Sequence, residues 1–151
     1  MRVALDTNIL VCAEGVNPGI NHVRSVELVM LLPTDSTFIP LQVLGEFANV
    51  LRRKTSRTSS AIQDTLDFWS SRFQVVETTL PVFNASQDLS SVHQFSTWDA
   101  IILSTAQSAN CRLLLSEDLQ DGFSWSGITI ANPFAAKRHW FLENLLNGEV
   151  V

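Results

Sequence analysis

Val3-Ala4-Leu5-Asp6-Thr7-Asn8 joins a short apolar run to a carboxylate and two hydrogen-bonding side chains. Residues 2–6 are predicted to form a short buried strand, and residues 8–14 the helix that follows it. A charged side chain at the end of a buried strand is costly unless it is paired or binds a metal ion. Asp6 is therefore either a cap for the following helix or the first residue of an acidic site.

Three further stretches carry an acid beside or inside an apolar run, namely Leu44-Gly45-Glu46-Phe47, Thr97-Trp98-Asp99-Ala100-Ile101-Ile102 and Leu113-Leu114-Leu115-Ser116-Glu117-Asp118. Taken alone, Asp99 is an acid in the first turn of a helix, and Asp118 a loop residue. Glu46 has no such local explanation, because it lies in the middle of a predicted helix. One such acid is ordinary, but four predict a shared site. Carboxylate oxygens favour Mg²⁺ or Mn²⁺, and acids clustered around such ions commonly cleave phosphodiesters.

The rest of the chain alternates predicted strands with predicted helices. Periodicity, turn residues and caps predict strands at 2–6, 37–40, 73–76, 112–115 and 128–130, and helices at 8–14, 21–32, 41–54, 61–71, 81–94, 98–108 and 135–146. A break is predicted at Asn17-Pro18-Gly19, and a loop from Gly122 to Gly127. This order predicts one α/β domain over residues 1–151, with a central, mainly parallel sheet and helices on both faces. Ligands of such sheets bind at the carboxyl ends of the strands, which Asp6 and Asp118 follow.

The composition is that of a compact folded protein. The 151 residues are 46% hydrophobic and 17% charged, with a mean hydropathy of +0.16. No apolar run approaches the roughly 20 residues that span a bilayer, and the first residues lack a signal peptide's cleavage region. Cys12 and Cys111 show neither zinc-site nor disulfide spacing, which favours a reduced, cytoplasmic setting.

The net charge of −5 weighs against a protein that binds nucleic acid by overall charge. Several of its 15 acids belong to the predicted site, however, and a bound cation cancels part of their charge. A basic cluster also lies at one place in the chain, formed by Arg52, Arg53, Lys54 and Arg57. Cations at the carboxyl end of a helix complement its dipole, so helix termination and phosphate binding explain this cluster equally well.

The four acidic stretches, in this order, resemble those of the PIN-domain ribonucleases, and within them the VapC-type toxins of toxin–antitoxin pairs. Asp6-Thr7-Asn8 resembles the opening motif of the family, and the helix around Glu46 resembles the one that supplies its second acid. Thr97-Trp98-Asp99-Ala100 and residues 115–122 resemble the stretches with the third and fourth acids. Asn132-Pro133-Phe134 resembles a common end of the fold, so the resemblance covers about residues 2–134, before the predicted terminal helix at 135–146.

The resemblance implies a three-layer PIN-like sandwich and an endoribonuclease that depends on Mg²⁺ or Mn²⁺. It implies Asp6, Glu46, Asp99 and Asp118 as the catalytic acids, with Asp6 and Asp99 as metal ligands and Asp118 as a ligand directly or through water. Glu46 would bind the metal or orient the nucleophile. Possible supporting residues are Thr7, Asn8, Ser116 and Asp121. The implied partners are the RNA substrate, a cognate antitoxin and a second copy of the chain in a homodimer.

Two other functions compete with this interpretation. The first is a PIN-like nuclease that is not a toxin and acts in RNA processing or on structured DNA. The second is a non-catalytic member that binds RNA or a protein partner. Acids at all four positions speak against the second alternative, because degenerate sites tend to lose one of them.

Overall fold

The computed structural model describes residues 1–16 and 19–148, and these residues form six strands and seven helices. The strands are β1 (Val3–Leu5), β2 (Thr37–Pro40), β3 (Gln74–Val76), β4 (Leu113–Leu115), β5 (Ser124–Trp125) and β6 (Ile128–Ala131). The helices are α1 (Thr7–Ala13), α2 (Ile20–Leu31), α3 (Leu41–Lys54), α4 (Ser59–Arg72), α5 (Leu80–His93), α6 (Thr97–Ser108) and α7 (Trp140–Leu146). Asn17 and Pro18 of the predicted break lie outside the described residues.

The six strands form one sheet in the order β3-β2-β1-β4-β6-β5. All neighbours pair in parallel except β5, which is antiparallel to β6. Every residue of β1, β4 and β6 is buried. Because successive strand residues point to opposite faces, both faces of the sheet centre are covered by helices. The predicted α/β sandwich with a mainly parallel central sheet is confirmed.

The register of the central strands brings two ends of the acidic site together. Leu5 of β1 pairs with Leu115 of β4, so the residues that follow, Asp6 and Ser116, leave the sheet side by side. The backbone amide of Asp6 donates to the carbonyl of Leu115 at 3.0 Å, which extends the pairing by one step. Helix α6 packs against β2 and α3, and α1 packs against α3, so that both helix-borne acids reach this edge.

The sequence prediction missed strand β5, which lies inside the loop predicted from Gly122 to Gly127. Trp125 of β5 pairs with Ile128 of β6 across the two residues Ser126 and Gly127. Both of these have positive φ, 48° and 87°. Two consecutive residues with positive φ form a tight turn whose twist matches that of a β-hairpin. Ser126 and Gly127 are therefore the turn of a hairpin that joins β5 to β6.

The C-terminal helix is shorter than predicted, because it begins at Trp140 and not at Ala135. Asn132 forms a turn first: its side-chain oxygen accepts the amide of Phe134 at 2.9 Å. Arg138 then donates to the carbonyl of Pro133 at 3.1 Å, which keeps the chain bent through residues 135–138. His139 caps α7 by accepting the amide of Phe141 through Nδ1 at 3.3 Å. These local hydrogen bonds compete with helical ones and delay the helix.

No helix in the described ranges combines the length and the apolarity that a bilayer crossing requires.

Candidate active site

Asp6 lies at the centre of the acidic edge, buried and fully hydrogen-bonded. It is only 5% exposed. Its Oδ1 accepts the backbone amide of Thr7 at 2.7 Å, and its Oδ2 accepts the Ser116 hydroxyl at 2.7 Å and the Asn8 side-chain amide at 3.0 Å. Burial raises the pKa of Asp6 from 3.8 to about 6, against the lowering effect of the Ser116 and Thr7 hydrogen bonds. The nearby charges of Asp99 and Glu46 raise this pKa further.

Glu46 reaches the edge from α3 and is joined to Asp6 through a single residue. Its Oε2 accepts the hydroxyl of Thr7 at 2.7 Å, and its Oε1 accepts the side-chain amide of Gln42, one turn earlier, at 3.2 Å. Thr7 therefore contacts both acids, through its amide and its hydroxyl. Glu46 makes no capping contact, which agrees with the absence of a local explanation for it in the sequence.

Asp99 lies at the start of its helix beside Ser96 and also lines the cavity, so its contact with Ser96 does not remove it from the predicted site. Ser96 caps α6: its hydroxyl accepts the amide of Asp99 at 3.2 Å and donates to Oδ2 of Asp99 at 2.6 Å. This reciprocal pair is a capping arrangement at the start of the helix. The same carboxylate also lines the cavity with Asp6 and raises the pKa of Asp6 by its charge. Its capping contact occupies one oxygen only.

Asp118 is exposed and is tied to the site by Asn8. The Nδ2 group of Asn8 lies 3.0 Å from Asp6, 3.1 Å from Ser116 and 3.2 Å from Asp118. On its other side, the Oδ1 of Asn8 accepts the backbone amide of Glu117 at 3.2 Å. Asn8 thus fixes the turn that follows β4 against the start of α1, and with it the position of Asp118.

These acids line one cavity of about 640 Å³ at the carboxyl edge of the sheet. The sequence model of the PIN domain family matches residues 3–123. The chain belongs to the PIN domain family. This match starts with β1 and includes all four acids, so the resemblance drawn from the motifs is confirmed at the level of the family.

Solved structures with the same PIN fold are similar over most of this chain at low identity. A toxin–antitoxin complex from Klebsiella pneumoniae has a TM-score of 0.68 and 21% identity, covering 87% of this chain and 98% of that one. VapC20 of Mycobacterium tuberculosis, described as a toxin that cleaves the sarcin–ricin loop, gives 0.63 and 16%, covering 74% and 86%. VapBC2 of Rickettsia felis, bound to a promoter DNA fragment, gives 0.61 and 21%, covering 86% and 97%. Among curated protein sequences, none matches this chain.

Asp121 is not among the acids that this PIN fold brings to the cavity. It is exposed, and its Oδ1 accepts the backbone amide of Asn132 at 2.8 Å. This bond joins the turn after β4 to the end of β6. The structure therefore gives Asp121 a place in loop geometry, and the predicted accessory role has no contact to support it.

Sequence reasoning missed two polar residues that line the cavity, Cys12 and Asn21, and assigned Glu117 only to the loop. Glu117 accepts the Cys12 thiol at 3.3 Å and the Asn21 side-chain amide at 3.0 Å. Burial, with the neighbouring Glu117, raises the pKa of Cys12 from 9.0 to about 11, which keeps the thiol protonated at neutral pH. Helical spacing was the available signal, because Cys12 follows Asn8 by one turn.

The four residues of the predicted basic cluster have different surroundings. Arg52 and Arg53 are exposed and do not line the cavity, whereas Lys54 does. Arg57 is half-buried and paired: its guanidinium lies 2.9 Å from Glu14, at the end of α1, and donates to Thr65 at 3.0 Å. Arg57 therefore links the end of α1 to α4, and its contact with RNA stays a prediction.

We expect the substitution Glu14→Gln to lower the free energy of unfolding by about 1–2 kcal/mol, which is less than the roughly 1.5–3 kcal/mol of a hydrogen bond to a charged group because glutamine still accepts one hydrogen bond. Glu14 also accepts the indole N–H of buried Trp69 at 3.0 Å, so its carboxylate serves two donors. Urea unfolding measures the loss. Arg53→Gln is the control, because an exposed substitution changes stability by less than about 0.5 kcal/mol. Equal stabilities of the two variants would contradict the proposed link.

The residues of the cavity suit a hard divalent cation by their chemistry. The lining includes the oxygen donors of Asp6, Glu46, Asp99, Glu117 and Asp118, opposed by one cation, Lys54. In their present positions, no three acidic, histidine or cysteine side chains of the described ranges are spaced to hold a metal ion. The excess negative charge and the all-oxygen acids nevertheless match what Mg²⁺ and Mn²⁺ prefer.

Proposed function

We propose that this PIN-domain protein is an endoribonuclease that depends on Mg²⁺ or Mn²⁺ and acts as the toxin of a toxin–antitoxin pair in the cytoplasm. The observation that carries the proposal is the convergence of four carboxylates on one cavity at the carboxyl edge of the sheet, with Asp6 buried among them. Asp6 is the buried member of this group, and burying one carboxylate close to other acids without a cation is costly, which favours a site made for a cation.

The proposed ligands are Asp6, Asp99 and Asp118. A divalent cation bound there supplies a water of lowered pKa and stabilises negative charge on the phosphate. Glu46 has the task of orienting the attacking water, because Thr7 and Gln42 fix its two oxygens from the side of α1 and from its own helix. Thr7, Asn8 and Ser116 hold the acids in place and leave little reorganisation to be done when substrate binds.

The experiment is an assay of RNA cleavage by the purified protein with Mg²⁺, with Mn²⁺ and with EDTA. We expect cleavage with either ion and none after chelation, because the carboxylates alone supply neither a Lewis acid for the phosphate nor a water of lowered pKa. A protein that cleaves RNA equally well in EDTA would contradict the proposal. A protein that binds RNA but leaves it intact with both ions would point to the non-catalytic alternative.

A cognate antitoxin is the proposed protein partner, and the solved relatives, which include toxin–antitoxin complexes, support it. An apolar cleft of about 210 Å³ between α2 and α4 offers a place for it, because Met30 and Phe68 at its rim are 73% and 52% exposed. Exposed apolar side chains around a cleft are typical of protein interaction sites. The resemblance that suggests the antitoxin also suggests a homodimer.

We expect the double variant Met30→Glu, Phe68→Glu to lose co-purification with the product of a small reading frame directly preceding this gene. Burying an unpaired carboxylate in an apolar interface is costly, and two of them should break the complex. Val92→Glu is the matched control, since Val92 is equally apolar and 70% exposed but lies on α5. Loss of the complex in the control alone would place the partner elsewhere.

A further inference from the structure

We propose that Lys54 binds a backbone phosphate next to the scissile one, so that a single RNA strand leaves the acidic site along α3. This inference rests on the proposed ribonuclease function and adds the path of the substrate. Lys54 belongs to the same cavity as the four acids, and it is the one cation among the described residues that line it.

The helical register of α3 places Lys54 on the cavity side. Glu46, Val50 and Lys54 follow each other at intervals of four residues, and all three line the cavity. Residues at this interval share one face of a helix. Eight residues of helix span about 12 Å, so the backbones of Glu46 and Lys54 are about that far apart, and no ion pair joins their side chains within the described ranges. The cavity therefore continues from its acidic end to a cation.

The neighbouring cations have other positions. Arg52 and Arg53 share the last turn of α3 with Lys54 but are not among the residues that line the cavity. Arg57 is occupied by Glu14. Lys54, by contrast, has no ion pair within the described ranges. Lys54 is exposed at this cavity and is available to a ligand that carries negative charge, and the strand that extends from a cleaved phosphodiester carries one charge per nucleotide.

The chemistry of the subsite favours a single strand. Lys54 offers a point charge without planar geometry, which suits a phosphate of any sequence and reads no base. Val11 and Val50 line the same cavity, and Val50 lies one turn from both Glu46 and Lys54, so the cavity offers apolar side chains against which a ribose or base could pack. A phosphate-binding cation beside an apolar surface is the combination with which proteins bind single-stranded nucleic acid, and this favours a single strand as the ligand.

The test compares three variants that differ by one charge on the same helix end, namely Lys54→Gln, Arg53→Gln and Lys54→Arg. We expect Lys54→Gln to raise KM for RNA about tenfold, the lower end of what a hydrogen bond to a charged group contributes, with kcat changed by less than about twofold. Arg53→Gln and Lys54→Arg should stay close to the wild type. Loss of one phosphate contact should also flatten the dependence of log affinity on log salt by about 0.7.

RNA shortened nucleotide by nucleotide on either side of the mapped cleavage position locates the contact. For the wild type, kcat/KM should fall when one particular nucleotide is removed from one side of the cleavage position. For Lys54→Gln, removing the same nucleotide should leave kcat/KM unchanged, because the lost phosphate and the lost charge belong to one interaction. If Lys54→Gln and Arg53→Gln weaken binding equally, or if no step depends on Lys54, the proposal is overturned and the lysine only ends the helix.

RNA binding measured in an Asp99→Asn background separates this inference from the proposed function. If the wild type cleaves no RNA, the ribonuclease proposal fails. The Lys54 proposal is then decided by affinity and salt slope alone, with a single-stranded RNA of mixed sequence as the probe. Equal RNA affinities of the proteins with and without Lys54 would overturn the Lys54 proposal whether or not the protein cleaves RNA.

Discussion

Asp99→Asn should reduce the rate of RNA cleavage by at least about a hundredfold, because losing one metal ligand loosens both the ion and the activated water. Asparagine keeps the size of the side chain and can still accept the hydrogen bond from Ser96, so the start of α6 should be preserved. The measurement is a single-turnover cleavage rate at saturating Mg²⁺. Circular dichroism shows whether the fold is kept.

Asp121→Asn is the matched control for this loss. It removes the same charge from an acid outside the cavity whose oxygen accepts the amide of Asn132, a bond that asparagine can also make. We expect its activity to stay close to that of the wild type. Full activity of Asp99→Asn with Mg²⁺ present would return Asp99 to the role of a helix cap, and a large loss in Asp121→Asn would mean that the site extends beyond the cavity.

The elements that the sequence predicted best are those in which pattern and boundaries agree. Helix α3 was predicted over residues 41–54 and forms over the same residues, because Pro40 precedes its amphipathic stretch and a row of cations ends it. Strands β1 and β4 were predicted from apolar runs, and their parallel pairing then places Asp6 beside Ser116. The position of the acidic edge therefore followed from the strand ends alone.

What the sequence left undetermined depends on contacts between distant residues. Arg57 and Glu14 are 43 residues apart, and only the packing of α1 beside α4 makes them an ion pair. The contact between Glu117 and Asn21 likewise joins residues 96 positions apart. Spacing within one element sorts side chains by face, but it does not say which element lies opposite. The contact of Arg57 with Glu14, which separates Arg57 from the other residues of the basic cluster, is of this long-range kind.

The hydrogen bonds around Asp6 fix the position of its carboxylate within the acidic site. Thr7, Asn8 and Ser116 supply donors to its two oxygens, and each of these residues contacts a second part of the site. The hydrogen bonds from Ser116 and Thr7 lower the pKa of Asp6, but burial outweighs them. Asp6 therefore remains costly to ionise, and that cost connects catalysis with stability.

We expect the metal-free protein to lose stability relative to its Asp6→Asn variant as the pH rises from about 4 to 7. The pKa of Asp6 is about 6 in the folded protein and 3.8 as its ordinary value. Between these values the folded chain holds a proton that the unfolded chain has released, so the free energy of unfolding falls with increasing pH. The shift in the pKa of Asp6 corresponds to about 3 kcal/mol in the free energy of unfolding. This contribution is fully present below the unfolded pKa of 3.8 and is lost as the pH rises through the folded pKa of about 6. Urea unfolding of both proteins in EDTA at pH 4, 5, 6 and 7 measures it.

Millimolar Mn²⁺ should reverse this loss at pH 7 in the wild type and much less in Asp6→Asn. The ion binds the folded arrangement of carboxylates and not the unfolded chain, so it raises the melting temperature by mass action. Losses from the changed hydrogen bonds of asparagine to Ser116 and Asn8 do not depend on pH, and the slope with pH therefore isolates the charge. If Asp6 merely caps α1, its replacement destabilises the protein by about 1 kcal/mol at every pH, and Mn²⁺ acts equally on both proteins. A constant difference across the pH series, together with an equal response to Mn²⁺, would thus remove Asp6 from the metal site.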